Sequence, residues 1–240
     1  MPQAQSVYLN PEELLEDFDM TFQTALLGTD GMVLASDRLL VERGLRGLVK
    51  SRTPYERTVG KKIHISEEKS VICAYAGGPY SEAIARRIVT DCDPRGLSDI
   101  AWRNCLENAT KLVTEYEDNT ADEILVLRCD NTSALKLIRQ RNDDPTFTPV
   151  TSQMCSGIDS DAKAIPRFFW HANANMRELC TLALVTIDYA HQEFPGHVGG
   201  GADVVKIDKR GNLSEKSFTL EELAQTRSAF TDRVRQALPW

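Results

Sequence analysis

Three residues of types that do chemistry stand at the ends of apolar stretches in this sequence. Thr21 opens one stretch, Asp37 closes the next, and Lys62 precedes a third. A threonine hydroxyl is a weak nucleophile until a base takes its proton. A buried aspartate and a buried lysine are costly singly but are tolerated as a hydrogen-bonded pair. Residue types of this kind can do chemistry together only if the fold brings them into contact.

The first two apolar stretches predict a β-hairpin. Residues 22–28 and 32–36 alternate in polarity, and Asp30 and Gly31 between them supply the positive-φ turn that a tight antiparallel connection needs. The segment 38–60 is different, because it holds six lysines and arginines. It predicts a long charged loop or a weakly specified pair of edge strands.

The rest of the chain predicts strands and helices in separate blocks. The helices are marked by apolar residues at helical spacing and the strands by short apolar runs. The predicted elements are strands 62–65 and 70–76, helices 81–89 and 98–116, strands 124–129, 134–138 and 150–155, helices 162–172 and 176–191, and strand 202–207. The apolar face predicted for the second helix holds Ile100, Trp102, Leu106, Ala109 and Leu112. This order predicts an α+β fold, an antiparallel sandwich covered by helices on both sides.

Three glycine-containing motifs follow the hairpin along the chain. They are Ala76-Gly77-Gly78 before a helix, Met154-Cys155-Ser156-Gly157 before a helix, and Gly199-Gly200-Gly201 before the last predicted strand. Together with the Thr21 hairpin they resemble the proteasome β-subunit-like family of the N-terminal nucleophile hydrolase superfamily, which includes bacterial proteasome-like peptidases. The resemblance covers about residues 21–210. It implies a four-layer αββα sandwich of two antiparallel sheets flanked by helices.

The resemblance also implies a role for each candidate residue. Thr21 would be both the nucleophile and, through its free α-amine, the base, with Asp37 holding Lys62 beside it. An α-amine has a pKa of about 8, and a neighbouring ammonium lowers it further. Ser156 would be a polar group near the amine, and the N–H of Gly77 would face the oxyanion. Lys61 is the alternative to Lys62, because a slip of one residue in a strand turns each side chain to the opposite face.

Some residues keep a purely structural interpretation open. Thr21 and Asp37 also fit ordinary strand ends, and Ser156 fits a turn. The segment Pro195-Gly196-His197-Val198 stands where the family commonly places an aspartate and a serine beside the threonine.

Residues 1–20 are interpreted as a leader or N-terminal extension. Asp19 and Met20 precede Thr21, where self-processing relatives usually have a glycine. If translation starts at Met20, removal of that methionine exposes Thr21 directly. Residues 21–210 would form the hydrolase domain, and residues 211–240 a C-terminal helical tail.

The function implied by the resemblance is a threonine-type endopeptidase that hydrolyses peptide bonds in unfolded chains. The protein would form a ring of identical subunits, with an unfoldase as a candidate partner. Two alternatives remain open. One is a catalytically silent subunit that serves as a scaffold or binding ring, with residues 1–20 blocking Thr21. The other is an amidase that uses the same fold on a small substrate.

Composition argues against several other classes of protein. The chain has 28 Lys and Arg against 35 Asp and Glu, which does not favour a nucleic-acid or anionic-membrane partner. Six widely spaced cysteines fit reduced, structural thiols, and four scattered histidines do not suggest a metal site, so no cofactor is expected. The acidic N-terminus lacks the basic region and the apolar run of a secretory signal or membrane span, so we expect a cytoplasmic protein.

Overall fold

The computed structural model describes residues 21–42, 56–66, 68, 70–77, 79–111, 122–130, 132–139 and 144–237. Over these residues the chain forms three antiparallel sheets, five α-helices and one 3₁₀ helix. The predicted α+β class is confirmed. The proposed leader, residues 1–20, lies outside the described residues.

Twelve strands make up the three sheets of the described chain. They are β1 (Phe22–Leu27), β2 (Gly31–Asp37), β3 (Leu39–Glu42), β4 (Glu56–Val59), β5 (Ile63–Ser66), β6 (Val71–Ala76), β7 (Asp122–Arg128), β8 (Ser133–Arg139), β9 (Thr146–Val150), β10 (Gln153–Gly157), β11 (Ala202–Asp208) and β12 (Leu213–Phe218). The first sheet has the order β10-β1-β2-β11-β12, and the second has the order β5-β6-β7-β8-β9. Strands β3 and β4 form a separate two-stranded sheet.

The helices lie between and after these strands in the chain. They are α1 (Pro79–Asp91), α2 (Asp99–Lys111), a 3₁₀ turn (Asp161–Lys163), α3 (Ala164–Phe169), α4 (Met176–Glu193) and α5 (Leu220–Ala237). Helix α4 begins at a capping box, in which the Asn175 side chain accepts from the N–H of Glu178 while the Glu178 side chain accepts from the N–H of Asn175. None of the helices in the described ranges is long and apolar enough to cross a membrane.

Strand alternation sorts the apolar side chains of the first sheet onto its two faces. Phe22 and Leu26 lie in one cluster with Leu179 and Ala183 of α4. The opposite face of the same hairpin contributes Ala25, Met32 and Leu34 to a second cluster, which the second sheet completes with residues such as Ile72 and Leu125. Both faces of the β1–β2 hairpin are therefore buried.

The second sheet is also apolar on its far face. There Cys73, Ile124 and Val126 pack in a third cluster with Ile84 of α1 and Trp102 of α2. The core is thus divided among three apolar clusters, and the middle one joins the two five-stranded sheets.

The segment 38–60 contains a pair of strands, the second of the two structures predicted for it. Strands β3 and β4 pair antiparallel from Leu39 opposite Val59 to Glu42 opposite Glu56. Residues 43–55, which hold most of the charge of this segment, lie outside the described residues.

The single strand predicted at 150–155 was wrong, because the chain changes sheets there. Val150 pairs with Ala134 in the second sheet, whereas Met154 pairs with Ala25 in the first. Thr151 and Ser152 form the bend between them. A continuous run of strand-forming residues does not reveal such a crossover.

The helical tail predicted at 211–240 omitted a strand. Leu213–Phe218 forms β12 and pairs with β11, so the proposed boundary at residue 210 falls inside a hairpin. Its sequence, Leu-Ser-Glu-Lys-Ser-Phe, is largely exposed and polar, as suits an edge strand, and it lacks the apolar alternation that marked the other strands.

The apolar face predicted for the helix at 98–116 was wrong at Ile100. This residue is 75% exposed, whereas Trp102 and Leu106 are buried. Two residues correspond to about 200° of rotation around an α-helix, so Ile100 lies opposite Trp102. The rest of the predicted helix, residues 112–116, lies outside the described residues.

Candidate functional site

Thr21, Asp37 and Lys62 meet in the structure. The Lys62 Nζ donates a hydrogen bond to Thr21 Oγ1 at 2.9 Å and to both carboxylate oxygens of Asp37 at 3.1 Å. The site is shielded from solvent, with exposed fractions of 4% for Thr21, 0% for Asp37 and 2% for Lys62. A threonine hydroxyl, an ammonium and a carboxylate are thus joined by consecutive hydrogen bonds.

The β1–β2 hairpin and the second sheet bring these three side chains together. Asp37 is the last residue of β2, and its Oδ1 accepts from the N–H of Phe22, the residue after Thr21, at 2.9 Å. Lys62 directly precedes β5 in the other sheet, where its carbonyl accepts from the N–H of Tyr75 at 3.3 Å. The site therefore lies where the two five-stranded sheets face each other.

Asp37 is fixed by several donors besides Lys62. Its Oδ2 accepts from the N–H of Leu39 at 3.2 Å and from the N–H of Gly199 at 3.3 Å. Complete burial raises the pKa of Asp37, against the opposing effects of the Lys62 ammonium and of the N–H groups of Phe22 and Gly199. These donors give the buried carboxylate the partners that it needs.

Gly199 was missed as a site residue when the sequence was interpreted. In the sequence the glycine run is one of the motifs of the resemblance and predicts only the start of a strand, whereas the structure places it against the end of β2. Arg38 donates its N–H to the carbonyl of Gly199 at 2.9 Å, and Ala202 pairs with Asp37. A glycine run before a strand that pairs with β2 is the signal that could have found this contact.

The two adjacent lysines have different environments. Lys61 Nζ lies 2.6 Å from a carboxylate oxygen of Glu215, and its side chain is 47% exposed. Lys62 is buried against Thr21 and Asp37. The structure thus places Lys62, and not Lys61, at the threonine.

Ser156 is buried on β10, directly opposite Gln23 in the β1 pairing. Its hydroxyl donates to the Glu123 carboxylate, which also accepts from the N–H of Gly157 at 2.8 Å. Glu123 was missed by sequence reasoning. It lies near the start of β7, in the other sheet, and no spacing along the chain connects it with Thr21.

Gly77 follows β6 and has a φ of 124°, in the region that favours glycine. The preceding carbonyl, of Ala76, accepts from the buried Ser81 hydroxyl at 3.0 Å. A Cβ placed on Gly157 would lie 1.8 Å from the Thr21 carbonyl oxygen and 3.4 Å from the Ala76 Cβ. Gly157 therefore packs against the Thr21 carbonyl, and the Ala76 side chain lies beside Gly157.

The segment from Pro195 to Val198 offers no carboxylate or hydroxyl side chain. Val198 is buried, and its carbonyl lies 2.6 Å from Nδ1 of His191. In the described parts of the chain, no group of three or more His, Cys, Asp and Glu residues could hold a metal ion.

Several solved structures have a similar fold at low sequence identity. Anbu (ancestral beta-subunit) from Yersinia bercovieri has a TM-score of 0.68 at 13% identity, over 91% of this chain and 97% of that chain. The Anbu (Gly-1) mutant from Hyphomicrobium sp. strain MC1 has a TM-score of 0.66 at 15% identity, over 90% and 97%. An Anbu complex from Pseudomonas aeruginosa, solved as a helical assembly, has a TM-score of 0.64 at 14% identity, over 91% and 97%.

The fold is proteasome-like. No family model matches the chain, and a search of curated proteins gives no match. The assignment to the proteasome β-subunit-like family, drawn from the sequence motifs, was therefore wrong: the structural neighbours are Anbu proteins, and an identity of 13–15% shows the fold alone. Gly77 and the Gly199-Gly200-Gly201 run lie between regular elements, whereas Met154 to Gly157 belong to strand β10.

Proposed function

We propose that this protein is a threonine-type hydrolase of amide bonds, with Thr21 as its nucleophile once residues 1–20 have been removed. The observation that carries the proposal is the contact of Lys62 Nζ with Thr21 Oγ1 at 2.9 Å, made while the same nitrogen pairs with buried Asp37 at 3.1 Å. Burying an ammonium beside a threonine hydroxyl destabilises the fold unless a carboxylate pairs with the ammonium, and Asp37 is that carboxylate here.

The first step of the proposed reaction needs a base. With Thr21 at the N-terminus, its neutral α-amine takes the proton from Oγ1 as the oxygen attacks the substrate carbonyl. The Lys62 ammonium stabilises the negative charge that develops on Oγ1, and Asp37 keeps that ammonium in place. While residue 20 is attached, the same nitrogen is an amide without useful basicity.

The next steps complete the turnover. The attack forms a tetrahedral oxyanion, for which the N–H of Gly77 is the proposed donor. The protonated amine then gives its proton to the leaving amine, which leaves an ester between Thr21 and the acyl part of the substrate. A water molecule, activated by the same amine, hydrolyses that ester and restores Thr21. Ser156 is the proposed polar group near that amine.

We also propose a class of substrate and an assembly for this protein. The three apolar clusters support a four-layer order of helices, sheet, sheet and helices. Peptide bonds of unfolded chains are the proposed substrate, and confinement in an assembly of identical subunits would keep folded proteins from the nucleophile. The helical assembly of the Anbu complex supports self-assembly of this fold. A cytoplasmic location and an unfoldase that delivers the substrate belong to the same proposal.

A second candidate, the silent scaffold subunit, is favoured by two features of the sequence. No glycine precedes Thr21, and Pro195 to Val198 lacks the supporting aspartate and serine that active relatives of the proposed type commonly have. In that case the buried Asp37–Lys62 pair would serve only to join the two sheets.

The N-terminus decides between the two candidates. We would express the protein from its Met1 codon and from its Met20 codon, verify each N-terminus by intact mass, and assay both with a fluorogenic peptide and a threonine-directed electrophile. The form that begins at Thr21 should hydrolyse the peptide and be labelled at Thr21, and Thr21→Ala should abolish both. Thr29→Ala, an exposed turn threonine, is the matched control. Equal activity of an uncleaved full-length chain would exclude the mechanism, and inactivity of both forms would favour the scaffold.

A further inference from the structure

Glu123 reaches from the second sheet to two strands of the first, β10 and the strand β1 that Thr21 directly precedes. Its carboxylate accepts hydrogen bonds from the Ser156 hydroxyl and, at 2.8 Å, from the N–H of Gly157, both on β10. Its main-chain carbonyl accepts from Gln23 Nε2 on β1 at 3.3 Å. Gln23 and Ser156 are direct partners in the β1–β10 pairing, so one residue of the second sheet joins neighbouring points on two strands of the first.

The strand β10 in turn holds the backbone of Thr21. Gly157 pairs with Phe22, and the N–H of Ile158 donates to the Thr21 carbonyl at 2.9 Å. The approach leaves no space for a side chain, since a Cβ on Gly157 would lie 1.8 Å from that carbonyl oxygen. A shift of Gly157 would therefore move the Thr21 carbonyl with it.

The charge of Glu123 is balanced inside the sheet. Lys136 Nζ on β8 lies 2.9 Å from the Glu123 carboxylate, and the two side chains are only 13% and 24% exposed. Burial raises the pKa of Glu123, but the Ser156 hydroxyl, the Gly157 N–H and the Lys136 ammonium together bring it below its ordinary value. The ionised carboxylate is thus the form that accepts these hydrogen bonds.

We infer that Glu123 is a positioning residue for the nucleophile. By fixing Gly157, it holds the segment that binds the Thr21 carbonyl, and so sets the Thr21 hydroxyl against Lys62. The inference rests on the proposed function of Thr21, and it adds a residue that touches neither the substrate nor the reacting oxygen.

The contact between Glu123 and the backbone around Gly157 can be tested in the full-length chain by hydrogen exchange, which needs no enzymatic activity. Glu123→Ala should speed hydrogen exchange of the Ile158 amide at least about tenfold, because the local opening that it permits costs little once Gly157 loses its anchor. The amide of Val185, in the middle of α4, should exchange at the unsubstituted rate. Glu107→Ala, which removes the acid of an exposed pair with Lys111 on α2, should leave both amides unchanged. An unchanged Ile158 rate in Glu123→Ala overturns the inference.

The effect of Glu123 on catalysis is tested with the form that begins at Thr21, and the number of active sites is counted by electrophile labelling of Thr21. Glu123→Ala should lower kcat per labelled site by about 10- to 100-fold, the loss expected when a reacting group is slightly misplaced, with KM unchanged. Glu123→Gln, which keeps an oxygen acceptor, should recover part of that loss. A merely structural role would lower the number of labelled sites and leave kcat per site unchanged, and that result also overturns the inference. Inactivity of the unsubstituted Thr21 form would instead overturn the proposed function, while the exchange measurement still decides whether Glu123 holds Ile158.

Discussion

Two acidic residues join the two five-stranded sheets near Thr21, and their surroundings differ. Asp37 is fully buried and pairs with Lys62, which also contacts the Thr21 hydroxyl. Glu123 is partly buried, pairs with Lys136, and contacts β10 instead of the threonine side chain. Burial outweighs the opposing effects at Asp37 and raises its pKa. At Glu123 burial is again the largest single effect, but the Ser156 hydroxyl, the Gly157 N–H and the Lys136 ammonium together outweigh it and lower its pKa.

This difference shows how similar ion pairs can have separate tasks in one site. In the proposed mechanism the Asp37–Lys62 pair presents a charge to the Thr21 hydroxyl oxygen, so both its charge and its isolation from water matter. The Glu123–Lys136 pair presents a carboxylate to backbone and hydroxyl donors, so its hydrogen-bond acceptors matter most. Substitutions that remove one member of each pair should therefore have unequal effects.

The largest effect is expected on stability when Asp37 is replaced. Asp37→Ala leaves Lys62 as an unpaired buried ammonium, which should lower the free energy of unfolding by about 3–5 kcal/mol. Glu123→Ala should cost less, about 1.5–3 kcal/mol, because Lys136 is nearer to solvent. Urea unfolding of the full-length chain measures both. Glu215→Ala, the acid of the exposed pair with Lys61, is the matched control and should cost at most about 1 kcal/mol. Equal losses for Asp37→Ala and Glu215→Ala would contradict the comparison.

The next largest effect is expected on turnover when Lys62 is replaced. Lys62→Ala removes the donor to Thr21 Oγ1 and should lower kcat by at least about 100-fold in the form that begins at Thr21. Lys61→Ala should leave kcat nearly unchanged, because its ammonium contacts Glu215. Single-turnover acylation of Thr21 by the electrophile gives the same contrast directly. A large loss in Lys61→Ala with none in Lys62→Ala would reverse the assignment.

The local sequence pattern was enough to predict that Thr21 and Asp37 lie close together, because they stand at the two ends of one hairpin and their proximity follows from its register. The choice between Lys61 and Lys62 was less certain, since side chains alternate between faces and the first residue of a strand is hard to locate. Glu123 could not be found in this way. Its role depends on how the two sheets stack, and that stacking leaves no periodic signal in the chain.

The same reasoning explains which elements of the fold were predicted. The β1–β2 hairpin and helix α4 are strongly apolar on the faces that they bury, so their patterns were clear. Strand β12 is an exposed edge strand without such a face, and the run at 150–155 crosses between two sheets. An apolar sequence pattern predicts that a face is buried, but it does not predict which strand, sheet or helix packs against that face.

A smaller effect, dependent on pH, is expected from Glu123. Because its folded-state pKa lies below the ordinary value of 4.5, Glu123 contributes stability that is present above about pH 4.5 and is lost as the pH falls through the folded-state pKa. The difference in unfolding free energy between the unsubstituted chain and Glu123→Gln should therefore be constant near neutral pH and shrink below pH 4.5. Urea unfolding at a series of pH values measures it. A difference that grows on acidification would contradict the stated direction of the pKa shift.

The smallest effect is expected from Ser156. Its hydroxyl hydrogen goes to Glu123, and that carboxylate keeps the Gly157 N–H and Lys136 as partners when the hydroxyl is removed. Ser156→Ala should therefore cost about 1 kcal/mol of stability. Its kcat should fall by less than about tenfold, far less than the loss expected from Lys62→Ala, because a hydroxyl bound mainly to Glu123 contributes little to proton transfer at Thr21. Both values are measured on the form that begins at Thr21, with Thr29→Ala as the control. A loss of kcat as large as that of Lys62→Ala would place Ser156 with the reacting groups of Thr21, and the Glu123 carboxylate would then act on the chemistry through that hydroxyl as well as through the backbone of Gly157.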